Sequence, residues 1–476
     1  MHRLVPVFVT DNLRRNRMRG SFDGGAIFVD ISGFTPLTER LMTFGQHGAE
    51  VLAGVMRKVF TPLVRTVFGH GGFVTNFAGD AFSAVFPAQE NDPALASLNA
   101  LAAAWQIQQH MKDNARQVTR FGSFEFSAKV GVAAGPTEWG IILSADNLRA
   151  AYYFKGSAIN GCTGAEKFAR AGDVIIDRRV YKAARLRINA QGVDNYWRVA
   201  RVTATFPEPE TVQIPPPDIE KMALFGPRLL FEQEVSGEFR QILSLFISLQ
   251  GSPHHEELSR FMQHLFALQQ RYGGFMNRVD YGDKGCHLLL FWGAPVSYEN
   301  DITRLLDFIL ELRQLSDIPL RAGITNRIAH AGYIGSSLAE EFTSYGRGVN
   351  LAARHMVSAG WGEIWLDGET AKRAEKDFRL HPLGEKLFKG ISDPQPVFLL
   401  EERHEQIVSP YGADPMIGRQ QELSELEEAL QPLKEGRFAG VVTVSGEAGI
   451  GKSHLVHSFL DATFQSSETA LFICQT

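Results

Sequence analysis

The chain has few of the features that mark secreted or membrane proteins. Its 476 residues include only Cys162, Cys286 and Cys474, which are too few and too scattered for a disulfide framework or a zinc site. No apolar run approaches the roughly 20 residues that span a bilayer. The N-terminal basic cluster follows a short apolar run, the reverse of the order in a secretory signal. We therefore expect a cytoplasmic protein without a membrane span.

The chain also lacks a strong excess of charge. Its net charge of −5, with 21% charged residues, gives no electrostatic reason to expect nucleic acid or an anionic membrane as a partner. The hydrophobic share of 44% is ordinary for a globular protein. A chain of this length is too long for one core and should divide into about three domains.

What the sequence does contain is an internal repeat. HGGFVTNFAGDAFSAVFP (residues 70–87) has a counterpart in YGGFMNRVDYGDKGCHLLLFWGAP (272–295), and AKVGVAAG (128–135) has one in LRAGITNR (320–327). Strand-like and helix-like segments alternate in each copy. This alternation predicts an α/β sandwich with one mixed sheet per repeat.

The two copies define the predicted domains. An N-terminal segment, 1–20, precedes a first domain at 21–205, and a second domain covers 236–402. Between them, 206–235 is rich in proline and is predicted to be a linker. Residues 403–476 are predicted to begin a P-loop α/β domain that is incomplete.

Two aspartates of the first repeat are placed where strands end. Asp30 follows the apolar stretch AIFV and precedes the loop SGFTP, and Asp80 lies in the turn of a predicted hairpin. Each has a simple explanation, because aspartate is favoured as a helix cap and in turns. If the fold brings the two together, they repel each other unless a cation lies between them, and hard divalent ions prefer oxygen ligands.

The motifs FVDISGFT, GGFVTNFAGDAF and VNLAAR together resemble those of the class III nucleotidyl cyclases. Two such repeats followed by a P-loop region resemble the soluble adenylyl cyclase branch of that class. The resemblance implies two cyclase domains packed as a pseudo-dimer within a monomer. It implies one active site between them that converts ATP to 3′,5′-cyclic AMP and pyrophosphate in intracellular signalling.

In the first repeat, the resemblance implies a site for two Mg²⁺ or Mn²⁺ ions and for the triphosphate. The implied metal ligands are the side chains of Asp30 and Asp80 and the main-chain carbonyl of Ile31. The triphosphate would be held by the main-chain N–H groups of Gly33, Phe34 and Thr35, which precede a helix N-terminus. Lys129 would contact the terminal phosphate, although a solvated lysine at a strand end has the same appearance.

In the second repeat, Asn350 and Arg354 are four residues apart on a predicted helix, where such side chains are most often simply solvated. The resemblance implies that Asn350 orients the ribose and that Arg354 stabilises charge on the phosphorus transition state. The repeats are complementary, because the position of Asp30 is Ser248 in the second repeat and that of Arg354 is Gly164 in the first. One working site and one chemically silent site are therefore predicted.

The residues implied at the purine base are Arg278 and Thr343. Soluble adenylyl cyclases have lysine and threonine there, and guanylyl cyclases have glutamate and cysteine. Thr343 fits the first pattern and Arg278 departs from it, while the absence of an acidic residue at these positions favours ATP over GTP. Two alternatives stay open: a non-catalytic nucleotide-sensing module that regulates the P-loop region, and a guanylyl cyclase.

The C-terminal stretch GEAGIGKS is a P-loop, and the sequence predicts a strand before it and a helix after it. Its predicted phosphate- and Mg²⁺-binding residues are Gly446, Gly451, Lys452 and Ser453. With MIGRQQEL, it resembles the opening of a STAND-type signal-transduction NTPase. Because the sequence stops soon after the P-loop, we expect no hydrolysis by this region alone. The regulatory partner that would act through it is unknown.

Overall fold

The computed structural model describes residues 2–89, 92–209, 215–232, 237–282, 285–389, 391, 393–404, 418–446, 450–452, 454–456 and 458–459. Contacts divide the chain into two compact units, Met1–Arg403 and His404–Thr476. Both repeats belong to the first unit, and each repeat forms an eight-stranded sheet.

The first sheet and its helices include the N-terminal segment. In chain order the elements are α1 (Val7–Arg14), β1 (Arg19–Ser32), α2 (Phe34–Met42), α3 (Gly45–Gly69), β2 (Phe73–Ala78), β3 (Ala81–Pro87), α4 (Pro93–Asp113), β4 (Arg116–Thr119), β5 (Gly122–Glu125), β6 (Ser127–Leu143), β7 (Ala150–Gly156), α5 (Ser157–Glu166), β8 (Val174–Ile176), α6 (Arg178–Ala184), β9 (Ile188–Val193) and β10 (Tyr196–Val202).

The second sheet follows two short helices. In chain order the elements are α7 (Ile219–Met222), α8 (Leu229–Glu232), β11 (Glu238–Leu249), α9 (His255–Tyr272), β12 (Phe275–Gly282), β13 (Gly285–Trp292), α10 (Asp301–Leu315), β14 (Leu320–Ser336), β15 (Ala339–Tyr345), α11 (Arg347–Ser358), β16 (Ile364–Asp367), α12 (Gly368–Ala374), β17 (Phe378–Lys386) and β18 (Gln395–Arg403).

The two sheets have the same strand order. The first runs β2-β3-β1-β6-β8-β10-β9 with β7 paired to β6, and the second runs β12-β13-β11-β14-β16-β18-β17 with β15 paired to β14. In both sheets one pairing is parallel, β6 with β8 and β14 with β16, and the other pairings are antiparallel. The predicted α/β fold with one mixed sheet per repeat is therefore confirmed.

Strand register shows how closely the repeats correspond. Asp30 lies opposite Lys129 on β6 and Ala81 on β3. In the second sheet the same two neighbouring strands place Arg321 and His287 opposite Ser248. Ser248 thus occupies in its sheet the place that Asp30 has in the first.

Glycines let one helix of each repeat lie directly on its sheet. A Cβ added at Gly131 on β6 would lie 2.0 Å from the Cys162 carbonyl oxygen of α5. A Cβ added at Gly323 on β14 would lie 2.1 Å from the Ala352 carbonyl oxygen of α11. These matching contacts fix α11, which carries Asn350, against the second sheet.

The two repeats share a hydrophobic core. The cluster built around the first sheet includes buried Ile334 and Tyr345 from the second repeat. Another cluster combines residues of both repeats with Met222, Leu230 and Phe231 from α7 and α8. The predicted linker therefore contains helices whose apolar side chains are packed inside the first unit.

The second unit contains α13 (Gln420–Lys434) before the P-loop region. The strand predicted before the P-loop is wrong for the described residues, because 439–446 have no regular secondary structure and Val441 is 90% exposed. A β-strand needs a neighbouring strand to pair with, and the described residues of this unit contain no strand. No helix in the described part of the chain is long and apolar enough to cross a membrane.

Candidate active site

The two predicted metal-binding aspartates lie next to each other at one edge of the first sheet. Asp30 is near the end of β1, and Asp80 is in the turn between β2 and β3. The Ile31 N–H donates to the Asp80 carbonyl oxygen at 3.1 Å, which ties the turn to β1. Lys129 Nζ lies 3.3 Å from Asp30 Oδ2 and 3.6 Å from Glu166 Oε1.

The electrostatics of this cluster suit a cation. Burial and the neighbouring charge of Asp30 raise the pKa of Asp80 to about 6. Burial and Asp30 also raise the pKa of Glu166. One ammonium group, that of Lys129, faces three carboxylates, so the site keeps an excess of negative charge. Oxygen ligands with uncompensated charge fit Mg²⁺ or Mn²⁺.

The loop after Asp30 leads into α2, as the sequence predicts. Gly33 is the residue before the helix, has φ of +117°, and has no room for a side chain, because an added Cβ would lie 2.3 Å from the Glu125 carbonyl oxygen. No side chain caps α2, so the alternative explanation of Asp30 as its cap is wrong. The first N–H groups of α2, at Phe34 and Thr35, thus remain without a capping side chain.

A large cleft lies between the two repeats beside this loop. It has a volume of about 860 Å³ and is lined by residues of both halves. The predicted site residues among its lining are Phe34, Thr35, Asp80, Arg278 and Asn350. The predicted site residues outside its lining are Asp30, Ile31, Gly33, Lys129, Thr343 and Arg354.

At the base end, Arg278 makes many protein contacts. Its Nε donates to Asp280 Oδ2 at 2.6 Å, and its Nη1 donates to Asn277 Oδ1 at 2.9 Å. Thr343 Oγ1 also donates to Asn277 Oδ1, at 3.2 Å, so Asn277 connects the two predicted base-binding residues. Burial raises the pKa of the nearby Glu341 to about 7, and the Arg278 charge partly offsets this effect.

Sequence reasoning missed the two carboxylates beside Arg278. Asp280 could have been noticed, because residues two apart on a strand lie on the same face. Glu341 lies on another strand, and nothing in the local sequence indicates its proximity. The ion pair between Arg347 of α11 and Glu39 of α2, both of which line the cleft, also joins distant segments.

The helix α11 carries the two predicted catalytic side chains. Asn350 and Arg354 are both exposed, one turn apart. Within the described residues Arg354 forms no ion pair, so its guanidinium has no carboxylate partner that a phosphate would need to displace.

The second interface site is small and is lined by both polar and apolar side chains. A cavity of about 70 Å³ is lined by residues of both repeats together with Leu4, Val5, Leu230 and Phe231 from the N-terminal segment and the predicted linker. Ser248, the counterpart of Asp30, is fully buried, and no atom of the described residues hydrogen-bonds to its hydroxyl.

We expect no direct activation by bicarbonate through this second site. Soluble cyclases of animals, which the chain resembles, bind bicarbonate there through a lysine and an arginine, whose positions here are Asn76 and Thr163. The Asn76 amide donates to Asp280, and the Thr163 hydroxyl donates to the Ile159 carbonyl at 3.2 Å. A buried anion needs charge compensation that these groups do not supply. A several-fold rate increase with bicarbonate over matched chloride at constant pH would contradict this expectation.

The described part of the P-loop has one internal contact. Lys452 Nζ donates to the Gly446 carbonyl oxygen at 2.9 Å, and Gly451 has φ of +91°. Ser453, the predicted Mg²⁺ ligand of this loop, lies outside the described residues.

Comparison with known proteins covers both units. A sequence model of the AAA ATPase domain family matches residues 415–473. Adenylate cyclase type 10 of Rattus norvegicus is 23% identical over 510 residues, which cover 91% of this chain and 30% of the relative. The Homo sapiens protein of the same name is 22% identical over 499 residues, with the same coverage of both chains. The chain is a homologue of the soluble adenylyl cyclases.

A solved structure supports the fold of the tandem repeats. The class III adenylyl cyclase-like ATP-binding protein from Pseudomonas aeruginosa aligns with a TM-score of 0.52 and 12% identity, over 74% of this chain and 85% of that one. The predicted resemblance to the class III cyclases and the predicted fold are therefore confirmed. The chain spans about 30% of the length of the curated relatives that it matches.

Proposed function

We propose that the chain is a nucleotidyl cyclase that converts ATP to 3′,5′-cyclic AMP and pyrophosphate. The observation that carries this proposal is the cleft that is lined by Asp80 and Thr35 of the first repeat and by Asn350 and Arg278 of the second. Each repeat lacks what the other supplies, since Ser248 replaces Asp30 and Gly164 replaces Arg354. One site between the repeats, within one chain, accounts for both losses.

In this proposal the first repeat holds the metals and the triphosphate. Asp30, Asp80 and the Ile31 carbonyl would hold two divalent ions, which when bound lower the pKa of the ribose 3′-hydroxyl and neutralise the phosphates. The N–H groups of the loop from Gly33 to Thr35 would bind phosphate oxygens at the N-terminus of α2. Lys129, whose Nζ lies 3.3 Å from Asp30 Oδ2, would contact the terminal phosphate.

The second repeat would act on the reacting atoms. Asn350 would orient the ribose so that its 3′-oxygen attacks the α-phosphorus in line with the leaving pyrophosphate. The 3′-hydroxyl proton passes to solvent water, a bond forms between the 3′-oxygen and the α-phosphorus, and the bond from the α-phosphorus to the bridging oxygen of the leaving pyrophosphate breaks. Arg354 would stabilise the charge that develops on the transferring group.

For the base we propose adenine. Nε and Nη1 of Arg278 are engaged with Asp280, Asn277 and the main chain, so we assign Nη2 to an adenine ring nitrogen. The carboxylate of Asp280 accepts from Arg278 Nε and from the Asn76 amide, which argues against its use as an acceptor for guanine.

Replacement of Arg278 by lysine tests this assignment. We expect Arg278→Lys to retain or improve the preference for ATP over GTP, because lysine is the residue of the resembled family and also donates to a ring nitrogen. The measurement is the ratio of kcat/KM for the two nucleotides. Equal use of ATP and GTP by the parent protein would remove the basis of this prediction.

The activity itself is tested by incubating purified protein with ATP or GTP and Mn²⁺ and measuring cyclic product. Cyclic AMP supports the proposal, and cyclic GMP as the sole product supports the guanylyl alternative. Nucleotide binding without product supports a non-catalytic sensing module, which the departure of Arg278 from the family's lysine favours as the second candidate. The same protein with Asp80→Asn serves as the negative control.

We also propose how the cyclase is organised in the cell. Both halves of the site lie in one chain, which supports a monomer, and the soluble relatives support a cytoplasmic location. The P-loop region would bind nucleotide and transmit a regulatory signal from a partner that the sequence does not name.

A further inference from the structure

The edge strand that leads to Asp80 is held by the second repeat. β2 is the outermost strand of the first sheet, so main-chain groups on its open side have no neighbouring strand in that sheet. At Phe77 both of these groups contact charged side chains. The Phe77 N–H donates to Glu341 Oε2 at 2.9 Å, and Arg278 Nη1 donates to the Phe77 carbonyl oxygen at 3.0 Å.

Glu341 and Arg278 are themselves a buried ion pair. Arg278 Nη1 lies 3.6 Å from Glu341 Oε1, and each side chain is only 11% exposed. Asp280 joins them, because it accepts from Arg278 Nε and from the side chain of Asn76, the residue next to Phe77. A buried pair needs its remaining donors and acceptors satisfied. Here the Phe77 N–H donates to Glu341, and the Phe77 carbonyl oxygen accepts from Arg278.

We propose that Glu341 and Arg278 are positioning residues that fix the Asp80 hairpin for metal binding. The proposal rests on the proposed function, since it assigns both residues to the metal site of that reaction. The turn has little packing of its own: Gly79 has φ of +69°, and an added Cβ there would have no neighbour within 4 Å. The position of Asp80 therefore depends on anchors outside the turn.

Two anchors define where the Asp80 carboxylate lies. The hydrogen bond from the Ile31 N–H fixes the Asp80 peptide group to the end of β1. The contacts of Phe77 with Glu341 and Arg278 fix the strand that enters the turn. Loss of the second anchor lets the carboxylate sample more positions relative to Asp30, which weakens cation binding without removing a ligand.

Binding of Mn²⁺ to the nucleotide-free full chain, followed by the electron paramagnetic resonance signal of the free ion, tests this proposal. We expect Glu341→Gln to weaken Mn²⁺ binding about tenfold, because glutamine keeps an acceptor for Phe77 but loses the charge that holds Arg278. The Mn²⁺ concentration for half-maximal cyclisation should rise equally. The rate at saturating Mn²⁺ should stay within about threefold of the parent.

Tyr152→Phe is the matched control for loss of a side-chain contact with β2. It removes the partly buried hydrogen bond from the Tyr152 hydroxyl to the Thr75 carbonyl oxygen, 3.1 Å long, on the same strand but farther from Asp80. Mn²⁺ binding should be unchanged in this variant. A tenfold loss in Tyr152→Phe as well would overturn the specific role of Glu341 and Arg278.

The remaining outcomes separate this proposal from the proposed function. Parent-like Mn²⁺ binding by folded Glu341→Gln overturns the positioning role and leaves the cyclase proposal standing. Absence of Mn²⁺ binding by the parent overturns both. If circular dichroism shows that Glu341→Gln is unfolded, Arg278→Lys decides, because lysine keeps the charge but lacks the fork that spans Asp280 and Phe77. It should weaken Mn²⁺ binding while its ATP preference is kept, and unchanged binding overturns the proposal.

Discussion

Asp30→Ala and Arg354→Ala should each reduce cyclisation by ~10²-fold or more, although the two residues belong to opposite repeats. Asp30→Ala would remove a metal ligand that lies beside Asp80, and Arg354→Ala would remove the charge that stabilises the transition state. Because both serve one proposed site, the measured kcat/KM of the double variant should be little lower than that of either single variant.

Ser248→Ala is the control for this comparison. Its hydroxyl is fully buried without a hydrogen-bonding partner among the described residues, so the change should leave activity nearly intact and stability equal or slightly higher. Gly164→Ala, the other change at the silent site, is unsuitable, because an added Cβ would lie 2.7 Å from the Tyr196 hydroxyl. A loss in Ser248→Ala as large as that in Asp30→Ala would contradict the one-site proposal.

Asp80→Asn should abolish activity and at the same time stabilise the metal-free protein. Burial and the charge of Asp30 raise the pKa of Asp80 from 3.8 to about 6, so its ionised form is disfavoured in the folded state. Removing the charge should raise the free energy of unfolding by about 2 kcal/mol at pH 8. Urea denaturation in the presence of EDTA measures this gain.

The stability gain in Asp80→Asn should depend on pH, because the pKa of Asp80 differs between the folded and unfolded states. The folded protein holds the Asp80 proton up to about pH 6, whereas the unfolded chain releases it near pH 4, so the destabilisation is complete above pH 6 and absent below pH 4. The gain in Asp80→Asn should therefore be present at pH 8 and disappear near pH 4. The exposed Asp113→Asn is the matched control and should show no such gain. A destabilised Asp80→Asn at pH 8 would contradict this account.

The fold of the repeats followed from local patterns in the sequence. Apolar strands, amphipathic helices and glycine turns recur in the same order in both copies, and strand order and register then place Asp30 next to the Asp80 turn and Ser248 at the equivalent position. The prediction of a strand before the P-loop was wrong, because this apolar run requires neighbouring strands that the described residues of that unit do not provide.

By itself, the sequence determined the two-repeat fold and the residue types at the strand ends, because these depend on short-range periodicity and turn chemistry. Only the tertiary structure decided what surrounds Arg278. Its contacts with Glu341 and with Phe77 of the other repeat join segments far apart in the chain, and residue spacing contains no information about such pairs. For the same reason the sequence did not indicate that Glu166 of α5 lies beside Lys129 of β6.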